Sequence, residues 1–159
     1  MKTVVDTSVV LALLYPDDVH NERAGDLLHE ASEAGKTALN PIVYSELAAD
    51  STFDSRDELD YFLSDTGLVM EPVTEAISYR AGESFRTYLD RRGAHLECPS
   101  CGRETAFDCP SCGTTISARQ HIAADFLIGA HAETADRLLT FDAGFFRDYF
   151  DVSVQTVMD

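Results

Sequence analysis

Two periodicities take turns along the chain. Lys2–Asp6 is an unbroken β-favouring run, with Thr3, Val4 and Val5 in succession, as in a strand buried on both faces. Thr7 and Ser8 can cap a helix over Val9–Leu14 that stops ahead of Pro16. Asn21–Ala34 puts Ala24, Leu27, Leu28 and Ala31 on one helical face and ends at Gly35. Thr37–Leu39 is a short strand, Pro41 opens a helix to about Ala49, Ser55–Ser64 is a further helix closed by Gly67, and Leu68–Val73 is a strand. Thr74 caps a long helix with Glu75 at its positive end and an apolar stripe of Ile77, Ala81, Phe85, Tyr88 and Leu89, ending at Arg91-Arg92-Gly93. Periodicity lapses over 94–119. It resumes with a helix over Ile122–Thr134, a strand over Arg137–Thr140, a short helix over Ala143–Tyr149 and a last strand over Val152–Val157.

Strands that alternate with helices predict an α/β fold, a parallel sheet covered by helices on both faces. Residues 1–159 read as one domain, with 94–119 inserted between two helices. A length of 159 residues with 45% hydrophobic content suits one sizeable core and excludes a disordered chain. No apolar run approaches the ~20 residues of a membrane span, and Met1-Lys2-Thr3-Val4-Val5 has no signal-peptide pattern. These features lead us to expect a cytoplasmic protein with no membrane partner.

Charge complicates the search for a partner. With 12 Lys+Arg against 28 Asp+Glu the net charge is −16, which on its face disfavours nucleic acid. Ten of the basic residues are Arg and only Lys2 and Lys36 are Lys, an acidic, Lys-poor balance that resembles proteins of salt-loving microbes, where concentrated salt screens self-repulsion. An ordinary acidic protein is the alternative. The charge is also uneven: residues 17–75 hold three basic and fifteen acidic side chains, whereas 80–119 hold six Arg against five acids. An anion would approach the second region more easily.

Sites in open parallel sheets form beyond the carboxyl ends of the strands. Four acids fall there: Asp6 after the first strand, Glu46 in the helix after the second, Asp125 near the start of the helix after the insertion, and Asp142 after the Leu138–Phe141 segment. Each has a plainer reading. Asp6 and Asp125 can be helix caps, Glu46 a solvated helix residue, and Asp142 a turn or cap. Their joint placement favours a shared role. Carboxylates grouped without a base repel one another, and a hard divalent cation, Mg²⁺ or Mn²⁺, resolves the repulsion. Such a site suits phosphodiester hydrolysis.

Val4-Val5-Asp6-Thr7-Ser8, Ser45-Glu46-Leu47-Ala48, Ala124-Asp125-Phe126-Leu127-Ile128-Gly129-Ala130 and Leu139-Thr140-Phe141-Asp142 resemble the four blocks of PIN-domain nucleases. The size and the full-length coverage look most like VapC toxins of toxin–antitoxin pairs. The resemblance implies a three-layer α/β/α sandwich with a central parallel sheet of about five strands. It implies that Asp6, Glu46, Asp125 and Asp142 hold Mg²⁺ or Mn²⁺, with Thr7, Ser8 and Thr140 as supporting polar residues. It implies an endoribonuclease that cuts tRNA or rRNA, is neutralised by a small protein antitoxin, and forms a homodimer. On the Asp125 helix, Gly129 at i+4 and His121 at i−4 share the face of Asp125. Gly129 leaves room there for another backbone. His121 either orients substrate or is an ordinary exposed helix residue.

The insertion carries all four cysteines, as Cys98-Pro99-Ser100-Cys101-Gly102 and Cys109-Pro110-Ser111-Cys112-Gly113. Paired CxxC turns followed by Gly point to a tetrahedral Cys₄ Zn²⁺ site resembling a zinc knuckle or short ribbon, with Gly102 and Gly113 permitting the tight turns. Two disulfides or a redox pair are the alternatives, the former disfavoured in a reducing compartment. Arg91, Arg92, Arg103 and Arg119 flank or lie within the insertion and are candidates to grip RNA. A plain staple, or a contact to antitoxin or second subunit, is the competing role. Two further functions stay open: a PIN nuclease of ribosomal-RNA processing, and a non-catalytic RNA- or protein-binding module. The intact set of four acids speaks against the second.

Overall fold

A computed structural model describes residues 1–92, 96–97, 103–116 and 123–156. The chain runs β1 (Lys2–Val5), α1 (Thr7–Leu14), α2 (Asn21–Ala34), β2 (Lys36–Leu39), α3 (Pro41–Ala49), α4 (Arg56–Asp65), β3 (Leu68–Met70) and α5 (Glu75–Arg92). Then come β4 (Leu96–Glu97), β5 (Glu104–Thr105), β6 (Phe107–Asp108), β7 (Thr115–Ile116), α6 (Ala124–Ala132), β8 (Arg137–Leu139), α7 (Ala143–Tyr149) and β9 (Val154–Gln155). A central five-stranded sheet has the order β3-β2-β1-β8-β9, and every pairing in it is parallel. Thr3 of β1 lies level with Thr37 of β2 and Arg137 of β8. Helices flank the sheet, so Thr3, Val4 and Val5 are all buried and β1 shows no alternation. Among the described residues no helix is long and apolar enough to cross a membrane.

The order places β1 at the point where the chain's progression across the sheet reverses. From β1 it moves outward through β2 and β3, then returns to lay β8 on the other side of β1. A crevice opens beyond the carboxyl ends of β1 and β8, where such folds place ligands.

Packing on the far side of this crevice joins α5, α6 and α7. Phe126 of α6 lies within 5.0–5.7 Å, ring centre to ring centre, of Phe85, Tyr88, Phe145 and Tyr149. Arg80 of α5 grips Glu133 bidentately at 2.7 and 2.8 Å, and its guanidinium lies over the Phe150 ring at 5.6 Å. Gly129 meets that ring from the other side. A Cβ there would sit 2.7 Å from Phe150 Cζ and closer still to Cε2 and Cδ2. The missing side chain makes room for an aromatic ring, not for the backbone predicted from sequence.

Boundaries differ from the sequence reading in ways that have local causes. Asp6, not Thr7 or Ser8, is the cap of α1: its Oδ1 accepts from the Thr7 amide at 2.8 Å, and Thr7 is the first helical residue. β3 stops at Met70 because Pro72 has no N–H to continue the ladder, the last donor being Glu71 to the Leu39 carbonyl at 2.8 Å. The last strand is confined to Val154–Gln155, and α6 begins at Ala124, with Ile122 outside the described residues. Within the insertion, expected to lack regular structure, β4 pairs with β5 and β6 with β7 as antiparallel ribbons. Strands of two residues are too short to show a period.

Candidate functional site

Asp6 is the fixed point of the crevice. It is only 6% exposed, and its amide donates to the Leu139 carbonyl at 3.0 Å, which ties the end of β1 to the end of β8. Its Oδ2 accepts from the Ser8 hydroxyl at 2.7 Å and from the Thr140 hydroxyl at 2.8 Å. Ser8 Oγ in turn accepts from the Phe141 amide at 3.2 Å, and Thr140 Oγ1 from the Asp142 amide at 3.0 Å. Two hydroxyls thus relay the position of the β8–α7 turn onto a single carboxylate. The Thr7 hydroxyl bonds Glu46 Oε2, which brings α3 to the start of α1. Asp142 caps α7 by accepting from the Phe145 amide at 3.4 Å.

Asp125 completes the group. Its side chain reaches solvent, yet the protein crowds its carboxyl enough that desolvation is the largest influence on it. The negative charges of Asp6, Glu46 and Asp142 add to that, and together they push its pKa up to about 6. The charges of the other three acids predicted from sequence thus all reach Asp125 across one crevice. Thr7, Ser8 and Thr140 are the hydroxyls between them.

Hydroxyls and amides, not cations, are the hydrogen-bond partners of Asp6 and Glu46. No cationic side chain among the described residues offsets their charge, which suits a cation site. Among the described residues no three His, Cys, Asp or Glu side chains close on one point as a ready cage. The donor set fits a hard ion that keeps several waters and takes one or two carboxylates directly, in the manner of Mg²⁺.

Asn40 was missed by the sequence reading. It is fully buried immediately after β2, and its Oδ1 accepts from the Ile42 and Val43 amides at 3.0 and 3.1 Å, capping α3. Its Nδ2 donates to the Leu127 carbonyl of α6 at 3.3 Å. One side chain thus joins the helix bearing Glu46 to the helix bearing Asp125. Its signal was the Asn-Pro pair at a helix start. His20 was missed too. Its ring lies 5.0 Å from that of Phe141 at 53°.

In the insertion, Gly113 holds φ 71°, and its amide donates to the Cys109 carbonyl at 2.8 Å, forming the turn expected at Cys109–Gly113. The Cys112 thiol lies 3.5 Å from Thr114 Oγ1, and bonds to Thr114 and Cys109 hold its pKa below the ordinary thiol value. Cys98 and Cys101 lie outside the described residues, as do Arg119 and His121. Arg91 rests over the Tyr149 ring at 5.1 Å and donates to the Asp148 carbonyl at 3.3 Å, so it is engaged with α7. Arg103 is exposed, and the side chain of Arg92 is not described.

The model of the PIN domain family matches residues 3–94, more than half of the chain. The chain belongs to the PIN domain family. The match holds Asp6 and Glu46 and stops at the insertion, ahead of Asp125 and Asp142. Solved structures extend the likeness of this PIN domain over its whole length. VapBC2 from Rickettsia felis, bound to a DNA fragment from its promoter, is 20% identical, with 98% of each chain covered and a TM-score of 0.61. VapBC-1 from nontypeable Haemophilus influenzae is 15% identical over 100% of both chains, with a TM-score of 0.60. VapC20 of Mycobacterium tuberculosis, a Sarcin-Ricin loop cleaving toxin, is 20% identical over 93% of this chain and 95% of that one, with a TM-score of 0.52. A comparison with curated protein sequences finds no match.

Proposed function

We propose that this PIN domain is an Mg²⁺- or Mn²⁺-dependent endoribonuclease and the toxin of a VapBC-type pair. The observation that carries the reading is the electrostatic convergence of Asp6, Glu46 and Asp142 on Asp125 in a crevice whose hydroxyls are already committed to orienting carboxylates. Asp6, Glu46, Asp125 and Asp142 would hold the cation. A divalent ion there neutralises phosphate charge and acidifies a bound water.

The chain's own part is positional. Ser8 and Thr140 fix the rotamer of Asp6, and Thr7 does the same for Glu46. Asp125, its pKa pushed up to about 6, is mostly ionised at neutral pH, and a bound cation would favour its charged form further. RNA cleavage with Mn²⁺ or Mg²⁺ in concentrated salt tests the activity. Asp125→Asn should abolish cleavage with an unchanged circular-dichroism spectrum, and undiminished cleavage by this variant overturns the reading. Mapping the ends cut from total RNA would identify the target, for which tRNA and rRNA are the first candidates.

A protein antitoxin is the partner this reading calls for, as in the VapBC assemblies of similar fold. An open groove of about 500 Å³ lined by Tyr44, Ala48, Phe53, Leu59 and Met70, with Asp54 and the ion-paired Arg56 and Asp60 beside them, offers an apolar seat with charged neighbours. A homodimer in a salt-adapted cytoplasm fits the same reading. For the insertion we infer structural Zn²⁺ on Cys98, Cys101, Cys109 and Cys112, with Arg103 and its neighbours gripping RNA. Zinc content of one ion per chain, lost in Cys109→Ser, tests the metal. Joining Gly93 to Ser117 should weaken RNA binding more than it lowers thermal stability.

A further inference from the structure

Outside the Phe126 cluster, Phe141 packs one side of its ring against the core, and the imidazole of His20 lies against that ring. Both are partly buried, and they meet at 5.0 Å immediately before Asp142 in the β8–α7 turn. Among the described residues the imidazole has no hydrogen bond, and the ring contact of Phe141 is to His20.

The backbone beneath both rings is tied down. The amide of Phe141 donates to Ser8 Oγ at 3.2 Å, and that hydroxyl donates to Asp6 Oδ2 at 2.7 Å, so the ring's own backbone stands two hydrogen bonds from the central carboxylate. His20 is fixed from the other side. Its amide donates to Asp18 Oδ1 at 2.7 Å and its carbonyl accepts from Ala24 at 2.8 Å. The adjacent Asn21 closes the end of α1 by donating to the carbonyls of Ala12 and Leu13 at 2.8 and 3.0 Å. The result is an aromatic ledge on a fixed backbone, next to the Asp142 turn of an otherwise anionic site. A phosphate is repelled by such a site, whereas a nucleobase, with its π-face, is not.

We propose that His20 and Phe141 form a stacking ledge for one unpaired nucleobase beside the scissile phosphodiester, giving a preference for single-stranded or looped RNA. This rests on the ribonuclease reading above. A base stacked there is fixed laterally, which brings the adjoining phosphate toward the cation that Asp6 and Asp142 would hold.

The test uses the full chain in concentrated salt with Mg²⁺ and an uncleavable 2′-O-methyl RNA of about a dozen residues, followed by fluorescence anisotropy, alone or annealed to its complement. His20→Ala should weaken binding of the single strand about tenfold, in the range of one base–aromatic stack, and leave the duplex unaffected. His20→Phe should retain most of the affinity, and His20→Ala combined with Phe141→Leu should be little worse than His20→Ala alone. With cleavable RNA, His20→Ala should raise KM with kcat nearly unchanged. Unaltered single-strand affinity in His20→Ala, or a His20→Phe as weak as the alanine variant, overturns the ledge. So does a wild-type chain that binds no single strand. If the wild type cleaves RNA with no dependence on His20, only the ledge fails. If it binds single strands through His20 but cleaves nothing, only the nuclease reading fails.

Discussion

Removing one buried amide should loosen the site and the fold together. Asn40 lies at the joint of α3 and α6, with no exposed surface and three hydrogen bonds. Asn40→Ala loses an N-cap, which costs about 1–2 kcal/mol. It also loses the longer bond to the Leu127 carbonyl, which contributes about 0.5 kcal/mol. The sum is about 2 kcal/mol, or about 4–8 °C in Tm for a domain of this size. Asn40→Ser keeps a capping acceptor without burying a charge, so it should lose chiefly the tie to α6 and fall by less than the alanine variant. Thermal and urea unfolding in concentrated salt, where the net charge of −16 is screened, would measure both. An unchanged m-value would assign the loss to the native state. A drop of under about 1 °C in Asn40→Ala, or a serine variant as unstable as the alanine variant, would refute the reasoning.

Gly129→Ala drives a methyl group into the Phe150 ring and should cost about 1–3 kcal/mol, with partial recovery in the double variant with Phe150→Leu. A melting temperature equal to that of wild type would show that the ring has room to move. Glu71, which accepts from Lys36 at 2.6 Å, Lys2 at 2.7 Å and faces His131 Nε2 at 3.0 Å, is held at about 2 in place of 4.5 chiefly by the two lysines. A group so lowered adds stability above about pH 4.5 and loses it as pH falls toward 2. The ceiling is about 3.4 kcal/mol, and solvent screening reduces it to about 1–2. Glu71→Gln should therefore be less stable than wild type at pH 6 and equal to it near pH 2. A constant gap across that range, read by chemical denaturation at each pH, would contradict the linkage. Mg²⁺ should raise the melting temperature of the wild type, and Asp125→Asn should show a smaller rise. An equal rise in both would place the ion elsewhere.

Much of the fold is written in local pattern. Asn21–Ala34 and Ala143–Tyr149 form helices over the residues that the apolar spacing marks, because a capping residue or a helix-stopping glycine sits at the ends. The four carboxylates were visible because each interrupts an apolar run at a strand end or helix start. What local pattern could not carry was partnership. Pro41 was read as the start of α3, but the duty of Asn40 depends on α6 coming to lie against it, across a sequence separation of 87. Gly129 marked a close approach without saying that Phe150 would make it. Thr7 and Ser8 were taken for caps because hydroxyls commonly cap helices. In the structure they serve the carboxylates instead, and Asp6 does the capping.

The clasp between α5 and α6 has a consequence for the segment that separates them. Phe85 and Tyr88 on one helix, Phe126 on the other, and the Arg80–Glu133 pair hold the two helices together without help from the residues in between. The gap is thus closed by the core, and lengthening the chain that spans it adds only a slowly growing entropy. Position 92 to position 123 is a socket: the nuclease scaffold sets where a cassette is mounted, next to Asp125, and leaves its length and content free to diverge. A bare turn or a recognition module of another kind would seat there equally well without disturbing the acids.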